Sequence, residues 1–146
     1  MASGGNMIQA DTVNERLVVD FFNTLSTSDF DRIREFFHEE ATWEAMVKDI
    51  PGVGVHRGRK GIVDDFLKPI RGLFAPGDPK VTLTSLASKG SLVVAESTGS
   101  GHVADGRPYH NLYCWALEIK DGKIYRLREY MDSLYVSKLF QERASQ

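Results

Sequence analysis

The spacing of apolar residues changes once along the chain. Up to residue 74 they recur mainly every three or four residues, which places them on one face of a helix. From residue 80 onward they alternate with polar residues, which is typical of strands with two different faces. The segment between, 75–79 (APGDP), is a cluster of turn-forming residues. Helices followed by consecutive strands predict an α+β domain.

Two helices are predicted first. One begins at Asp11 or Thr12, and Glu15 stands three residues after Thr12, as a capping box requires. Its apolar stripe comprises Val13, Leu17, Val18, Phe21, Phe22 and Leu25. The STSD segment at 26–29 ends this helix and caps a shorter one. The apolar side of that second helix comprises Phe30, Ile33, Phe36 and Phe37.

A short strand and a loop separate these helices from a third one. The strand covers 41–46, and the loop 48–58 is predicted to be irregular because it is rich in glycine and proline. The third helix begins near Gly58 or Arg59, and Pro69 within it predicts a kink or an early end. Its apolar stripe comprises Ile62, Val63, Phe66, Leu67, Ile70, Leu73 and Phe74.

The remaining chain predicts a meander of four strands. They cover 80–88, 91–104, 107–120 and 123–131. Asp-Gly pairs at 105–106 and 121–122 are strong hairpin signals between alternating segments. Ser133–Arg143 forms either a terminal helix or an irregular last strand. We therefore expect one curved antiparallel sheet with helices on one side.

The composition indicates a single globular domain but does not indicate its function. The length of 146 residues suits one domain, which we place at 11–146 after a disordered tail at 1–10. The net charge of −2, with no basic segment, argues against nucleic-acid or anionic-membrane partners. A single cysteine excludes an internal disulfide, and no apolar stretch is long enough to span a bilayer. We expect a cytoplasmic globular domain.

The most informative pattern lies on the last two strands, because period-two geometry sorts their residues into faces. One face of 107–120 carries Tyr109, Asn111, Tyr113, Trp115, Leu117 and Ile119. One face of 123–131 carries Tyr125, Leu127, Glu129 and Met131. We expect these aromatic-rich faces to point at the helices. Glu129 is then a carboxylate on an apolar face.

Glu129 is the candidate catalytic residue, because loss of solvation raises the pKa of a carboxyl group and lets it exchange a proton near neutrality. The candidate substrate-binding residues are Trp43, Tyr109, Asn111, Tyr113, Trp115 and Leu127. Alternatives stay open: Glu129 pairs with a core arginine or a tyrosine hydroxyl, or a bulge turns it outward. Likewise, Asn111 can bond to backbone and Trp43 can be a core residue.

Other motifs give no support for metal, nucleotide or acyl-enzyme chemistry. His56, His102, His110 and Cys114 lack the spacing of zinc ligands. The segment 52–61 (GVGVHRGRKG) lacks the order of a phosphate-binding loop. The serines near His102 form no nucleophile elbow. We expect no cofactor and no metal.

Several segments together resemble the nuclear-transport-factor-2-like superfamily. They are WEAM at 43–46, HRGRKGI at 56–62 and, most specifically, DGKIYRLREYMD at 121–132. The chain is most similar to the SnoaL-like polyketide cyclase branch, which is related to ketosteroid isomerases, limonene epoxide hydrolases and phenazine-biosynthesis A/B proteins. The resemblance implies a curved sheet wrapped round the N-terminal helices as a cone with an internal apolar pocket.

The resemblance also implies site residues. Glu129 matches the position of an acidic proton donor in the epoxide hydrolases and of a glutamate in the phenazine proteins. The Arg-x-Asp and Tyr-x-Asn that the hydrolases use to activate water correspond here to Ser97–Gly99 and Trp43–Ala45, so that set is missing. Asp65 stands where the phenazine proteins carry a histidine, which makes it a candidate second carboxylate. Its simpler interpretation, shared with Asp64, is a solvated helix face.

Together these observations predict a cofactor-free enzyme acting on a small, hydrophobic, oxygen-bearing molecule. Glu129 would move a proton in an isomerisation, a cyclisation or a related lyase or hydrolase reaction. The alternative is a non-catalytic ligand-binding or dimerisation domain of the same fold. A homodimer is a further hypothesis, which rests on the habit of the family and on the aromatic residues Tyr130 and Tyr135.

Overall fold

The computed structural model describes residues 8–50 and 53–144. Within these ranges the elements follow in the order α1 (Val13–Leu25), α2 (Phe30–Glu35), β1 (Phe37–Ala45), β2 (Val55–Arg57), a π-helix (Lys60–Leu67), α3 (Lys68–Arg71), β3 (Lys80–Lys89), β4 (Leu92–His102), β5 (Pro108–Lys120), β6 (Lys123–Met131) and α4 (Ser133–Ala144). Most of the predicted tail, residues 1–7, lies outside the described residues. Ile8 packs against the core.

The described strands form a curved, open sheet in the order β2-β1-β6-β5-β4-β3. The predicted antiparallel meander is confirmed from β3 to β6, with turns at both Asp-Gly pairs. β1 joins this meander by pairing in parallel with β6. The α+β architecture with helices against one face of the sheet agrees with the prediction.

Helix α1 fills the concave side of the sheet, where Val18, Phe21 and Phe22 are fully buried. Its start is the predicted capping box: the Thr12 hydroxyl accepts a hydrogen bond from the Glu15 backbone N–H at 3.0 Å. Burying three large apolar side chains of this kind stabilises the fold by about 1.5–3 kcal/mol each. The position of this helix leaves a cavity between it and the open end of the sheet.

Three local predictions were wrong. Val13 is not part of the buried stripe, since it is 74% exposed at the first turn of α1. Phe36 and Phe37 do not continue α2, because the helix ends at Glu35 and Phe37 begins β1. The loop 48–58 contains β2, which is only three residues long and therefore too short to show an alternating pattern.

The predicted face of β6 is correct at Leu127 and Glu129 and wrong at Tyr125. A register shift between Glu118 and Ile119 places Ile124 opposite Ile119. A bulge of this kind reverses the alternation of faces on either side of it. Ile124 is consequently buried completely, and Tyr125 turns outward, where its ring contacts His38 and Lys120.

The third helix ends early, as its proline predicts. Its wide π-turns run to Leu67 and are followed by the single α-turn of α3, in which Pro69 occupies the first turn. Proline at this position has no N–H to bond back to the π-turns, and the helix continues for only two more residues. The helix stops at Arg71, whose side chain consequently lies at the inner end of the helical segment, beside the cavity.

Candidate functional site

A cavity of about 360 Å³ opens between the helices, the concave face of the sheet and α4. It is lined by Leu25, Trp43, Ala45, Val47, Ile50, Val53, Phe66, Leu67, Ile70, Arg71, Leu73, Phe74, Pro79, Val81, Gly99, Tyr109, Tyr113, Trp115, Glu129, Met131, Val136 and Phe140. The wall is mostly apolar and aromatic, with polar groups supplied by one acid, one guanidinium and two phenols. Apolar walls with a few polar groups are typical of small-molecule sites, and the volume lies in their usual range.

Glu129 lies in the wall with its side chain almost fully buried, at 8% exposure. β6 places it opposite Trp115 of β5, and its carbonyl accepts a hydrogen bond from the Met46 N–H at 2.8 Å. Within the described residues its carboxylate accepts one hydrogen bond, from the indole N–H of Trp43 at 3.0 Å. Burial raises the pKa of Glu129 to about 7, and the Trp43 hydrogen bond opposes that rise. Glu129 can therefore gain or lose a proton at neutral pH.

Two phenols stand beside this acid. The hydroxyls of Tyr109 and Tyr113 are hydrogen-bonded to each other at 2.6 Å. The side-chain amide of Asn111 donates to the Tyr109 oxygen at 3.0 Å. Burial raises the pKa of both tyrosines, and the charge of Glu129 raises both further. Both phenols are thus protonated at neutral pH. Because one hydroxyl donates to the other, one O–H of the pair remains to donate a hydrogen bond to an oxygen in the cavity.

The position of the Tyr113 ring depends on a glycine in the neighbouring strand. The ring stacks on Trp115 with centroids 5.1 Å apart and lies over Gly99 of β4. A Cβ atom at Gly99 would lie 2.7 Å from the ring's Cε1 atom, which is closer than van der Waals contact permits. The absence of a side chain at residue 99 is what allows the phenol to occupy this place.

Arg71 is a wall residue that no sequence pattern singled out as functional. It is 8% exposed, and its Nε and Nη2 donate to the Ser28 hydroxyl at 2.8 Å and the Pro79 carbonyl at 2.9 Å. Burial lowers the pKa of Arg71 to about 10, so the guanidinium stays charged at neutral pH. The only signal in the sequence is an arginine next to the apolar stripe of the third helix.

The predicted site residues fall into two groups. Those in the wall are Trp43, Tyr109, Tyr113, Trp115 and Glu129. Asn111 lies behind the wall, where it supports the Tyr109 hydroxyl. Leu127 is fully buried in the main core and does not line the cavity.

The structure places Asp65 away from the cavity, contrary to the expectation of a second catalytic carboxylate. Its side chain is 57% exposed and forms an ion pair with Lys60 at 3.1 Å. The neighbouring Asp64 pairs with Arg34 and Lys68. The solvated helix face is the interpretation that the geometry favours.

Two further parts of the wall were not expected from the sequence. The segment after β1 contributes Val47, Ile50 and Val53, and the last two belong to the stretch predicted only as an irregular loop. α4 contributes Val136 and Phe140. α4 also carries Tyr135, whose ring packs on Tyr109 with a centroid distance of 5.6 Å. Helix α4 therefore closes one side of the cavity.

Metal ligands and membrane spans are both lacking in the part of the chain that the structure describes. No cluster of three or more His, Cys, Asp or Glu side chains in these ranges could hold a metal ion. Among the described helices, none has the length and apolar character needed to cross a membrane.

Helices against a curved, open sheet with a cavity at one end define a nuclear-transport-factor-2-like protein. The family model of the SnoaL-like domain matches residues 18–127. The chain belongs to the SnoaL-like domain family. A comparison with curated protein sequences gives no match.

Solved structures show the same fold at low sequence identity. TerC, co-crystallised with polyporic acid, superposes with a TM-score of 0.76 at 18% identity, covering 89% of this chain and 99% of TerC. A protein from Bacillus subtilis proposed to be an isomerase gives 0.72 at 24% identity, covering 88% and 93%. An LEH-like epoxide hydrolase from M. tuberculosis gives 0.70 at 22% identity, covering 86% and 87%. These structures confirm the predicted fold, and the family model confirms the predicted family.

Proposed function

We propose that the protein is a cofactor-free acid–base enzyme acting on a small, apolar, oxygen-bearing molecule. The observation that supports this most is the environment of Glu129: a buried carboxyl group in the wall of an apolar cavity, with a pKa of about 7. A group that titrates at the working pH is suited to both accepting and returning a proton. The homodimer expected from the family resemblance stays a prediction.

The proposed reaction is proton transfer at a carbon next to a carbonyl group, as in an isomerisation or an aldol-type cyclisation. Ionised Glu129 removes the proton, and the negative charge that develops on the carbonyl oxygen accepts a hydrogen bond from the Tyr113 phenol. In an isomerisation the proton on Glu129 then returns to another carbon of the same substrate. In a cyclisation the enolate carbon bonds to a second carbonyl carbon, and Glu129 gives its proton to the oxygen of that carbonyl group. Ketosteroid isomerase likewise combines a carboxylate base with neutral hydrogen-bond donors in an apolar site.

Hydrolysis of an epoxide receives less support from the cavity. That chemistry needs a second carboxylate to activate water, and the expected strand positions hold Gly99 and Ala45. Among the described residues that line the cavity, Glu129 is the one carboxylic acid. TerC, with its polyporic acid, supports the binding of a small molecule in a cavity of this fold.

The experiment uses 2-tetralone, an apolar bicyclic ketone with acidic protons next to its carbonyl. Exchange of these protons for deuterium is followed by NMR in D₂O at neutral pH. We expect the wild type to accelerate exchange and Glu129→Gln to lower the protein-dependent rate by about 10²- to 10⁴-fold. Glutamine still accepts the Trp43 hydrogen bond but cannot take a proton.

The matched control is Glu15→Gln, which alters a second buried glutamate that does not line the cavity. It should exchange 2-tetralone at the wild-type rate. Equal rates for wild type and Glu129→Gln would contradict the proposal. Saturable binding of 2-tetralone without exchange would instead favour a ligand-binding domain.

A further inference from the structure

Arg71 is a buried cation without an ionic partner among the described residues. No carboxylate of the described chain lies within 4.0 Å of its guanidinium group. Its two hydrogen bonds go to neutral acceptors, the Ser28 hydroxyl and the Pro79 carbonyl. These leave Nη1 without a hydrogen-bond acceptor within the described residues, on a side chain that faces the cavity.

The carboxylate whose charge acts on Arg71 is hydrogen-bonded to another part of the chain. The charge of Asp78 acts on Arg71 at longer range, but the Asp78 carboxylate accepts a hydrogen bond from the backbone N–H of His102 at 3.0 Å. Its Cγ and Oδ2 atoms also lie directly over Gly101. A buried charge without a partner is strongly unfavourable, whereas one that is paired on ligand binding forms strong charge-assisted hydrogen bonds.

The cavity keeps its positive and negative groups apart. The Tyr113 phenol interacts electrostatically with both Arg71 and Glu129. The guanidinium comes from the end of α3 and the carboxyl from β6, on opposite layers of the fold. One ligand can therefore place a charged group at Arg71 while another part of it reaches Glu129.

We propose that Arg71 binds an anionic oxygen group of the substrate, and that the substrate is a carboxylate attached to an apolar ring system. The carboxylate accepts hydrogen bonds from the uncommitted Nη1 group, and the ring system fills the apolar part of the cavity. The Arg71 proposal names the substrate class of the proposed enzyme. It rests on the proposed function only because it places the substrate in the same cavity.

The test compares two aromatic probes that differ in charge and hardly in shape, 2-naphthoate and its neutral amide, 2-naphthamide. Their affinities for the whole protein are measured by isothermal titration calorimetry at pH 7. We expect 2-naphthoate to bind about 10-fold more tightly or better, since hydrogen bonds to a charged group are stronger than neutral ones. Neither probe has a proton for Glu129 to remove, so the result is independent of catalysis.

Arg71→Met should abolish this preference, so that the two probes bind within about twofold of each other. Lys68→Met is the matched control: it removes one positive charge from the same short helix, at a residue that pairs with Asp64 and does not line the cavity. It should retain the preference. If Arg71→Met does not fold, Arg71→Gln replaces it, since glutamine keeps amide donors for Ser28 and Pro79.

Four results would overturn the proposal. Equal affinity of the wild type for acid and amide would show that the cavity does not recognise negative charge. An unchanged preference in both neutral Arg71 variants would assign recognition to another group, and loss of the preference in Lys68→Met would assign it to general charge. Failure of both probes to bind would reject apolar aromatic carboxylates as the ligand class.

Discussion

Two glutamates of this protein are similarly inaccessible to solvent and have opposite acid–base properties. Glu15 at the start of α1 is 7% exposed, and Glu129 in the cavity wall is 8% exposed. The Glu15 carboxylate accepts hydrogen bonds from the Ser88 hydroxyl and the Asp11 backbone N–H. These donors, the Ser88 hydroxyl foremost, hold the pKa of Glu15 below its usual value. At Glu129 burial prevails over a single indole N–H, and the pKa rises.

Exposure alone therefore does not identify a functional carboxylate. What separates the two residues is how far the carboxyl group is desolvated and how many hydrogen-bond donors the fold supplies to its charged form. Desolvation is the main influence at Glu129 and a lesser one at Glu15. At Glu15 the donors belong to a helix cap and an adjacent strand, which gives this carboxylate a structural role. At Glu129 the remaining acceptor capacity is directed at a cavity, where a substrate proton can use it.

The largest difference between the two glutamates is expected in how the free energy of unfolding changes with pH. Glu129 has a folded pKa of about 7 against 4.5 for the free group, so burial favours its protonated form. Its contribution to stability is therefore greatest below pH 4.5 and is lost as the pH rises through 7. Relative to Glu129→Gln, the unfolding free energy of the wild type should fall by about 3 kcal/mol from about pH 4 to about pH 8. Urea denaturation at each pH measures this difference.

Glu15→Gln provides the control for that series, with the opposite sign. Because the pKa of Glu15 is lowered, its contribution is present above 4.5 and is lost as the pH falls through the lower, folded value. A wild-type minus Glu129→Gln difference that stays constant from acid to neutral pH would show that Glu129 titrates as an ordinary surface acid.

The second prediction removes the one donor that opposes burial at Glu129. Trp43→Phe deletes the indole N–H and keeps an aromatic ring, so the pKa of Glu129 should rise above 7. The Glu129 carboxyl signal, followed by ¹³C NMR during a pH titration, measures the change. A downward shift in Trp43→Phe would mean that other donors, not the indole, stabilise the ionised form.

The smallest change is expected in the pKa of Glu15 when one of its own hydrogen-bond donors is removed. Ser88→Ala removes the hydroxyl that contributes most to the low pKa of Glu15, so that pKa should rise towards the free value. The backbone donors of the helix cap remain, which limits the rise. The same NMR titration applies, and exchange of 2-tetralone should stay at the wild-type rate. A loss of exchange in Ser88→Ala would refute the division of roles between the two glutamates.

Much of this fold follows from the period of the apolar pattern. The four hairpin strands, the capping box of α1 and the inward faces of β5 are consequences of local geometry, and the structure confirms them. The placement of Glu129 among aromatic residues is predictable for the same reason. Tyr125 shows the limit, because a bulge alters the alternation of faces without any local signal in the sequence.

The composition of the cavity wall is less predictable, because alternation gives the face of a residue but not its depth. Leu127 shares its face with Glu129, yet it lies two residues further into the closed end of the cone, in the core. Arg71 reaches the wall only because the third helix stops at that residue. Val136 and Phe140 depend on where α4 docks, which helical spacing alone does not fix.

The contact between Gly99 and the Tyr113 ring makes the two positions evolutionarily interdependent. Residue 99 is the position at which the family resemblance predicts the aspartate of an epoxide hydrolase's Arg-x-Asp pair. A carboxylate could enter there only if the aromatic ring at 113 moved or were replaced, because a Cβ atom at residue 99 would lie 2.7 Å from that ring. An aspartate at residue 99 therefore requires a second replacement or a displaced ring at residue 113. Libraries that aim to change the chemistry of this cavity should therefore vary both positions together.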